Sequence, residues 1–192
     1  MIEHPRIVLE TLSIEALDMR PAQNEIRARY GRGYHLSDDC LRDVAALWGI
    51  GPEHECINSS GVFIPYERIE LAKGRCRAEI RTVRTPSGLW AMDISYAAAI
   101  CGGGASPSVW NGTAFFSEAD ARAAGLQALI TRFRAIIAEG GSDASEARQL
   151  IALLEAERTP SLRCSKAKKF ASCGPGAFAQ ERFTRSGARV CA

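Results

Sequence analysis

The stretch from Arg75 to Thr82 alternates without a break. Cys76, Ala78, Ile80 and Thr82 fall on one side, and Arg75, Arg77, Glu79 and Arg81 on the other. A period of two predicts a strand with one buried face. Thr85-Pro86-Ser87-Gly88 follows and carries turn chemistry. Leu89 to Tyr96 then alternates again, with Trp90, Met92, Ile94 and Tyr96 as the apolar set. The two runs predict an antiparallel hairpin. A hairpin with one large apolar face needs elements packed against it.

One such element is legible further along. Cys101-Gly102-Gly103-Gly104 and Pro107 break the pattern, and Val109 to Phe116 reads as a third strand interrupted by Asn111-Gly112. Ser117-Glu118-Ala119-Asp120 resembles a capping box with Asp in the place of Glu. Leu126, Leu129, Ile130, Phe133, Ile136 and Ile137 recur every three or four residues, one stripe of a helix that Gly140-Gly141 ends. The stripe is expected to lie on the Trp90/Ile94 face, with Leu129, Phe133, Trp90 and Ile94 buried in mutual contact.

The run Leu89-Trp90, Ser95-Tyr96, Gly102-Gly103-Gly104, Pro107 to Asn111 and Phe116 to Ala119 resembles a segment of uncharacterised accessory proteins of plasmids, phages and other mobile elements. The resemblance implies a setting among anti-defence and DNA-maintenance genes, of the anti-CRISPR and anti-restriction kind. It transfers no catalytic residue.

The flanking regions add elements to this unit. Arg6 to Leu12 suggests a first strand. Ser13 is placed to cap a short helix ending before Pro21, and Pro21 to open another that runs to Tyr30. Gly31-Arg32-Gly33 reads as a loop. Ser37 to Trp48 predicts a helix capped by Ser37, with Leu36 and Leu41 spaced for a hydrophobic staple. Gly61 to Leu71 fits either a strand or a turn of helix. Asp143 to Glu157 predicts a last helix, antiparallel to its predecessor because the connection is short. The expected fold class is α+β, an antiparallel three- to five-stranded sheet packed on one face by helices. Residues 1–55 form an N-terminal helical segment on that core, 56–159 the central unit, and 160–192 a disordered basic tail.

Charge is unevenly spread. From Pro160 onward seven Lys and Arg stand against one acid, a net +6, so the preceding residues carry −4 of the overall +2. An acidic body with a basic tail suits nucleic-acid or acidic partners. Seven cysteines in no framework spacing read as thiols. Met1-Ile2-Glu3-His4-Pro5 lacks a signal-peptide pattern, and no apolar run is long enough for a bilayer, so no membrane partner and a cytoplasmic location are expected.

Several chemical readings compete. Cys40, His54, Cys56 and Cys76 are zinc-ligand types at no familiar spacing, so no metal is expected, and no motif points to a cofactor. Cys101 before three glycines is a conceivable nucleophile beside an oxyanion loop, with His35 or His54 as base. The glycines alone suggest a phosphate cradle, but no helix follows them directly. Glu79 and Asp93 could pair on the polar sheet face as nuclease carboxylates do. Arg75, Arg77, Arg81 and Arg84 lie on or beside one strand and are the expected binding residues, for phosphates or for an acidic protein surface. Trp110 is the other candidate, either core or an interface anchor. The leading expectation is a non-enzymatic accessory protein that binds a protein or nucleoprotein target. A direct nucleic-acid binder and a small cysteine hydrolase or nuclease are the alternatives.

Overall fold

The computed structural model describes residues 6–9, 14–52, 56–99, 101–140 and 142–158, with side chains from 14 onward. These residues belong to the compact unit Met1–Pro160. The basic segment after Pro160, with Cys164, Cys173 and Cys191, lies outside the described residues, as does His54.

In chain order the elements are β1 (Arg6–Leu9), β2 (Ile14–Asp18), α1 (Arg20–Tyr30), a 3-10 turn (Gly31–Leu36), α2 (Asp38–Ala46), β3 (Glu67–Lys73), β4 (Cys76–Arg84), β5 (Trp90–Ala97), β6 (Gly102–Gly104), β7 (Thr113–Phe115), α3 (Glu118–Ala138) and α4 (Ala144–Arg158). The strands form one sheet in the order β1-β2-β7-β5-β4-β3, with β6 also on β5. Every pairing is antiparallel. The fold is α+β, as expected.

The hairpin has the predicted register, with Ile80 opposite Ile94 and Ala78 opposite Tyr96. Among the described residues the sheet has seven strands, more than the three to five expected. Ile14–Asp18 is a strand rather than the short helix expected before Pro21, because Ile14 and Ala16 bury against Phe115 and Ala121. The ambiguous stretch after Pro65 is the edge strand β3. Gly102–Gly104 is no loop either: it pairs with Ser95–Ala97. Only glycine fits there, because a Cβ on Gly104 would come 2.5 Å from the Ser95 Cα. The third predicted strand shrinks to Thr113–Phe115.

The helix starts behave as their caps dictate. Ser37 Oγ accepts from the Cys40 N–H at 3.2 Å, and Ser117 Oγ accepts from the Asp120 N–H at 3.1 Å. Arg134 meets Glu155 at 3.1 Å and Arg158 meets Gln127 at 3.2 Å, so α3 and α4 run antiparallel. Their stripe packs on Cys76, Ala78 and Ile80, with Leu129, Phe133, Leu150 and Leu154 wholly buried.

The opposite face is half covered. Small Ala91 of β5 and Ala114 of β7 admit α1 and α2, which bring Met19, Ile26, Val44 and Trp48 into a second core. Trp48 and Gln23 both donate to the Val109 carbonyl at 2.9 Å. Helices therefore lie on both sides of the sheet, not on one face alone. Trp90 does not join Phe133. It stands opposite Phe115 at the far end of β5 and packs with Ile14 and Ala121. Four residues of strand, about 13 Å, separate it from Ile94. The uncovered part of this face carries Arg68 and Glu70 of β3, Arg77, Glu79 and Arg81 of β4, and Asp93 and Ser95 of β5.

Candidate functional site

The expected arginine row divides once its partners are seen. Arg75 is not on β4 but in the β3–β4 turn, on the helix side of the hairpin. Its N–H donates to Glu146 at 2.8 Å, and its guanidinium reaches Asp143 at 2.5 Å and Glu146 at 3.9 Å. Arg81 makes a two-pronged pair with Glu79 at 2.9 and 2.7 Å. It also donates to the Ala105 carbonyl at 3.2 Å and to Ser106 Oγ at 3.0 Å. Its hydrogen bond to Glu79 holds that carboxyl below the usual glutamate range and raises its own guanidinium. Arg77 stands exposed on the open face between the small neighbours Ala72 and Ala97. Arg84 is exposed at the end of β4, beside a cavity. Two of the four arginines are thus engaged within the fold, and the other two are apart.

The acidic pair is engaged as well. Glu79 belongs to Arg81. Asp93 accepts from the Ile94 N–H at 2.8 Å and from Asn111 Nδ2 at 3.2 Å. Cys101 is exposed at the turn into β6, but the register pairs Gly103 with Tyr96, so that glycine's backbone is turned toward β5. His35, one of the two candidate bases, lines the cleft described next. Cys40 and Cys76 lie in separate cores on opposite faces of the sheet, and burial raises both thiols. Among the described residues no three His, Cys, Asp or Glu side chains cluster as metal ligands.

Trp110 is the candidate that the fold builds around. Its indole N–H donates to the Ser60 carbonyl at 3.1 Å. The Arg27 guanidinium lies 5.2 Å from the ring centroids of both Trp110 and Tyr34, which are themselves 5.9 Å apart. The cation–π attraction to both rings holds the three side chains together. Trp110 forms a wall of a cleft of about 440 Å³ with His35, Leu36, Asp38, Leu41 and Ser60. Leu36 does not fold under as a staple: it is 82% exposed. The 3-10 turn holds it outward, because Ser37 turns extended to cap α2. Sequence reading missed Leu36, Tyr34 and Arg27. Their only local signal was a Tyr-His-Leu triplet between a glycine pair and a helix cap.

The chain matches no family model, no curated protein and no solved structure. Its function must therefore be argued from the site itself. Among the described residues no helix is long and apolar enough to cross a membrane.

Proposed function

We propose that this is a non-enzymatic binding protein of the cytoplasm, and that it grips a protein or nucleoprotein target through the Trp110 cleft. The observation that carries the reading is Leu36, a large apolar side chain 82% exposed on a fixed turn beside Trp110, Tyr34 and Arg27. An exposed leucine set beside Trp, Tyr and Arg, the side chains that dominate protein interfaces, makes an anchor patch that a partner can bury. The mobile-element setting implied by the segment from Leu89 to Ala119 agrees with an accessory inhibitor of host defence. The test is affinity capture from the native host, followed by binding of the purified partner to variants. Leu36→Glu is expected to weaken binding at least about tenfold, with Arg148→Gln, exposed on α4, as a neutral control. Equal affinity of wild type and Leu36→Glu for that partner would sink the reading.

Direct nucleic-acid binding is the second reading, and Arg77 favours it, exposed and flanked by small residues on an open sheet face. Arg77→Gln should then lower the log–log salt slope for random-sequence DNA or RNA by up to about 1. Absence of salt-dependent binding by wild type would remove this reading.

A further inference from the structure

The sheet has a gap at the start of β3. That strand begins at Glu67 opposite Thr82, so Val83 and Arg84 continue β4 with no strand on that side. The Thr85 N–H donates to the Leu89 carbonyl, which assigns odd-numbered residues of this stretch to bonding with β5. The backbone N–H and C=O of Arg84 therefore face the gap.

The gap is a cavity of about 340 Å³. Phe63, Ile64, Pro65 and Pro86 supply apolar walls. Tyr66, Thr82, Arg84 and Trp90 supply polar groups. Among the described residues none of these four side chains makes a hydrogen bond or ion pair, although Thr82 is only 3% exposed. The Thr82 side chain lines the cavity while the rest of the residue is buried, so its hydroxyl is free to pair with a group held there. Glu67 and Cys56 also line the cavity, and Glu67 has Arg122 3.7 Å away.

The four unused groups share one property. Guanidinium and indole N–H only donate, and the tyrosine and threonine hydroxyls donate readily. A set of donors wants an acceptor, and the fork of an arginine fits a carboxylate best. Apolar walls with a few convergent polar groups are the usual form of a small-ligand site. We infer that this cavity binds a carboxylate carried on a compact apolar body, such as an aromatic or branched-chain acid. The acid is anchored on Arg84 and Thr82, and its body lies between Trp90 and the Phe63/Pro65 wall. The same chemistry exists at the C-terminus of a peptide ending in an apolar residue.

The experiment is a titration of the full chain followed through the Trp90 indole N–H resonance, assigned by its loss in Trp90→Phe. The probes are 3-phenylpropionate and the tripeptide Gly-Gly-Phe, each beside its amide. The expected result is a saturable shift of the Trp90 signal, with Kd about 1 mM or tighter for an acid and about tenfold weaker for its amide. Saturation by the free acid alone assigns a small metabolite, and saturation by the tripeptide alone assigns a chain terminus. Arg84→Gln, on an exposed side chain, should weaken the acid about tenfold. Thr82→Val should weaken it too, with little change in the stability of the unliganded protein, because this hydroxyl makes no hydrogen bond among the described residues. No saturable shift from either acid by about 10 mM overturns the inference. So does equal binding of acids and amides, or an Arg84→Gln variant with unchanged affinity.

Discussion

The Arg75 guanidinium lies 2.5 Å from the Asp143 carboxylate, and this contact ties the β3–β4 turn to the start of α4. Asp143 is 2% exposed and also accepts from the Ala99 N–H and from Ser142 Oγ. Two distant segments, the Arg75 turn and the stretch after β5, thus meet on one buried carboxylate. Asp143→Ala is expected to cost about 2–3 kcal/mol in urea unfolding, since one buried acceptor is lost to three donors at once and its site is left empty. Arg75→Ala should cost only about 1 kcal/mol, because the guanidinium is 57% exposed and water screens it. Equal costs for the two variants would show that the ion pair, not the buried acceptor, matters.

Gly74 tests the same junction from the backbone. Its φ is +56°, and a Cβ placed there would stand 2.5 and 2.7 Å from the Glu146 carboxylate oxygens. Gly74→Ala must strain the turn and displace Glu146 from the Arg75 N–H. The expected loss is about 2 kcal/mol. Gly31→Ala is the matched control, with φ +66° and open space around its Cβ position. It should lose about 1 kcal/mol, from backbone strain alone.

The Arg81–Glu79 pair predicts a pH dependence. Hydrogen bonding by Arg81 depresses the folded-state pKa of Glu79 below the unfolded value of about 4.3. A depressed carboxylate stabilises the fold above that unfolded value and stops doing so as pH falls through the lower folded one. Wild type should therefore exceed Glu79→Gln by about 1 kcal/mol at pH 7, with the gap closing below about pH 4. Thermal unfolding from pH 7 to 3 checks this, and a gap that widens toward acid would contradict it.

Phe133 is wholly buried beneath the sheet, 6.3 Å from the Tyr96 ring centroid and edge-on to it. Phe133→Ala should cost about 3–5 kcal/mol by chemical denaturation. Trp90→Phe, at the half-buried far end of β5, should cost less than about 1.5 kcal/mol. A small change at Phe133 would misplace α3 on the sheet.

The local parts of this protein were readable in the chain itself. Alternation in Cys76–Thr82 and Trp90–Tyr96 specified the hairpin and which side would be buried. The Leu126–Ile137 stripe and the Ser37 and Ser117 caps specified helices within a residue or two. Each signal sits inside one element, where the backbone period and the nearest N–H groups determine the outcome. Other features depended on residues distant in sequence. Ile14–Asp18 became a strand only because β7 offered it an edge and α3 covered it. The glycine triplet became a strand because β5 offered it an edge, and at Gly104 β5 approaches too closely for a Cβ. Arg75 left the binding surface because Asp143 was brought to it, and Arg81 because Ala105 and Ser106 closed on it beside its strand neighbour Glu79. Leu36 stayed exposed because the turn before α2 directs it outward. A side chain's type and period declare what it can do, but an ion pair or an unpartnered hydroxyl exists only once the fold has chosen its neighbours.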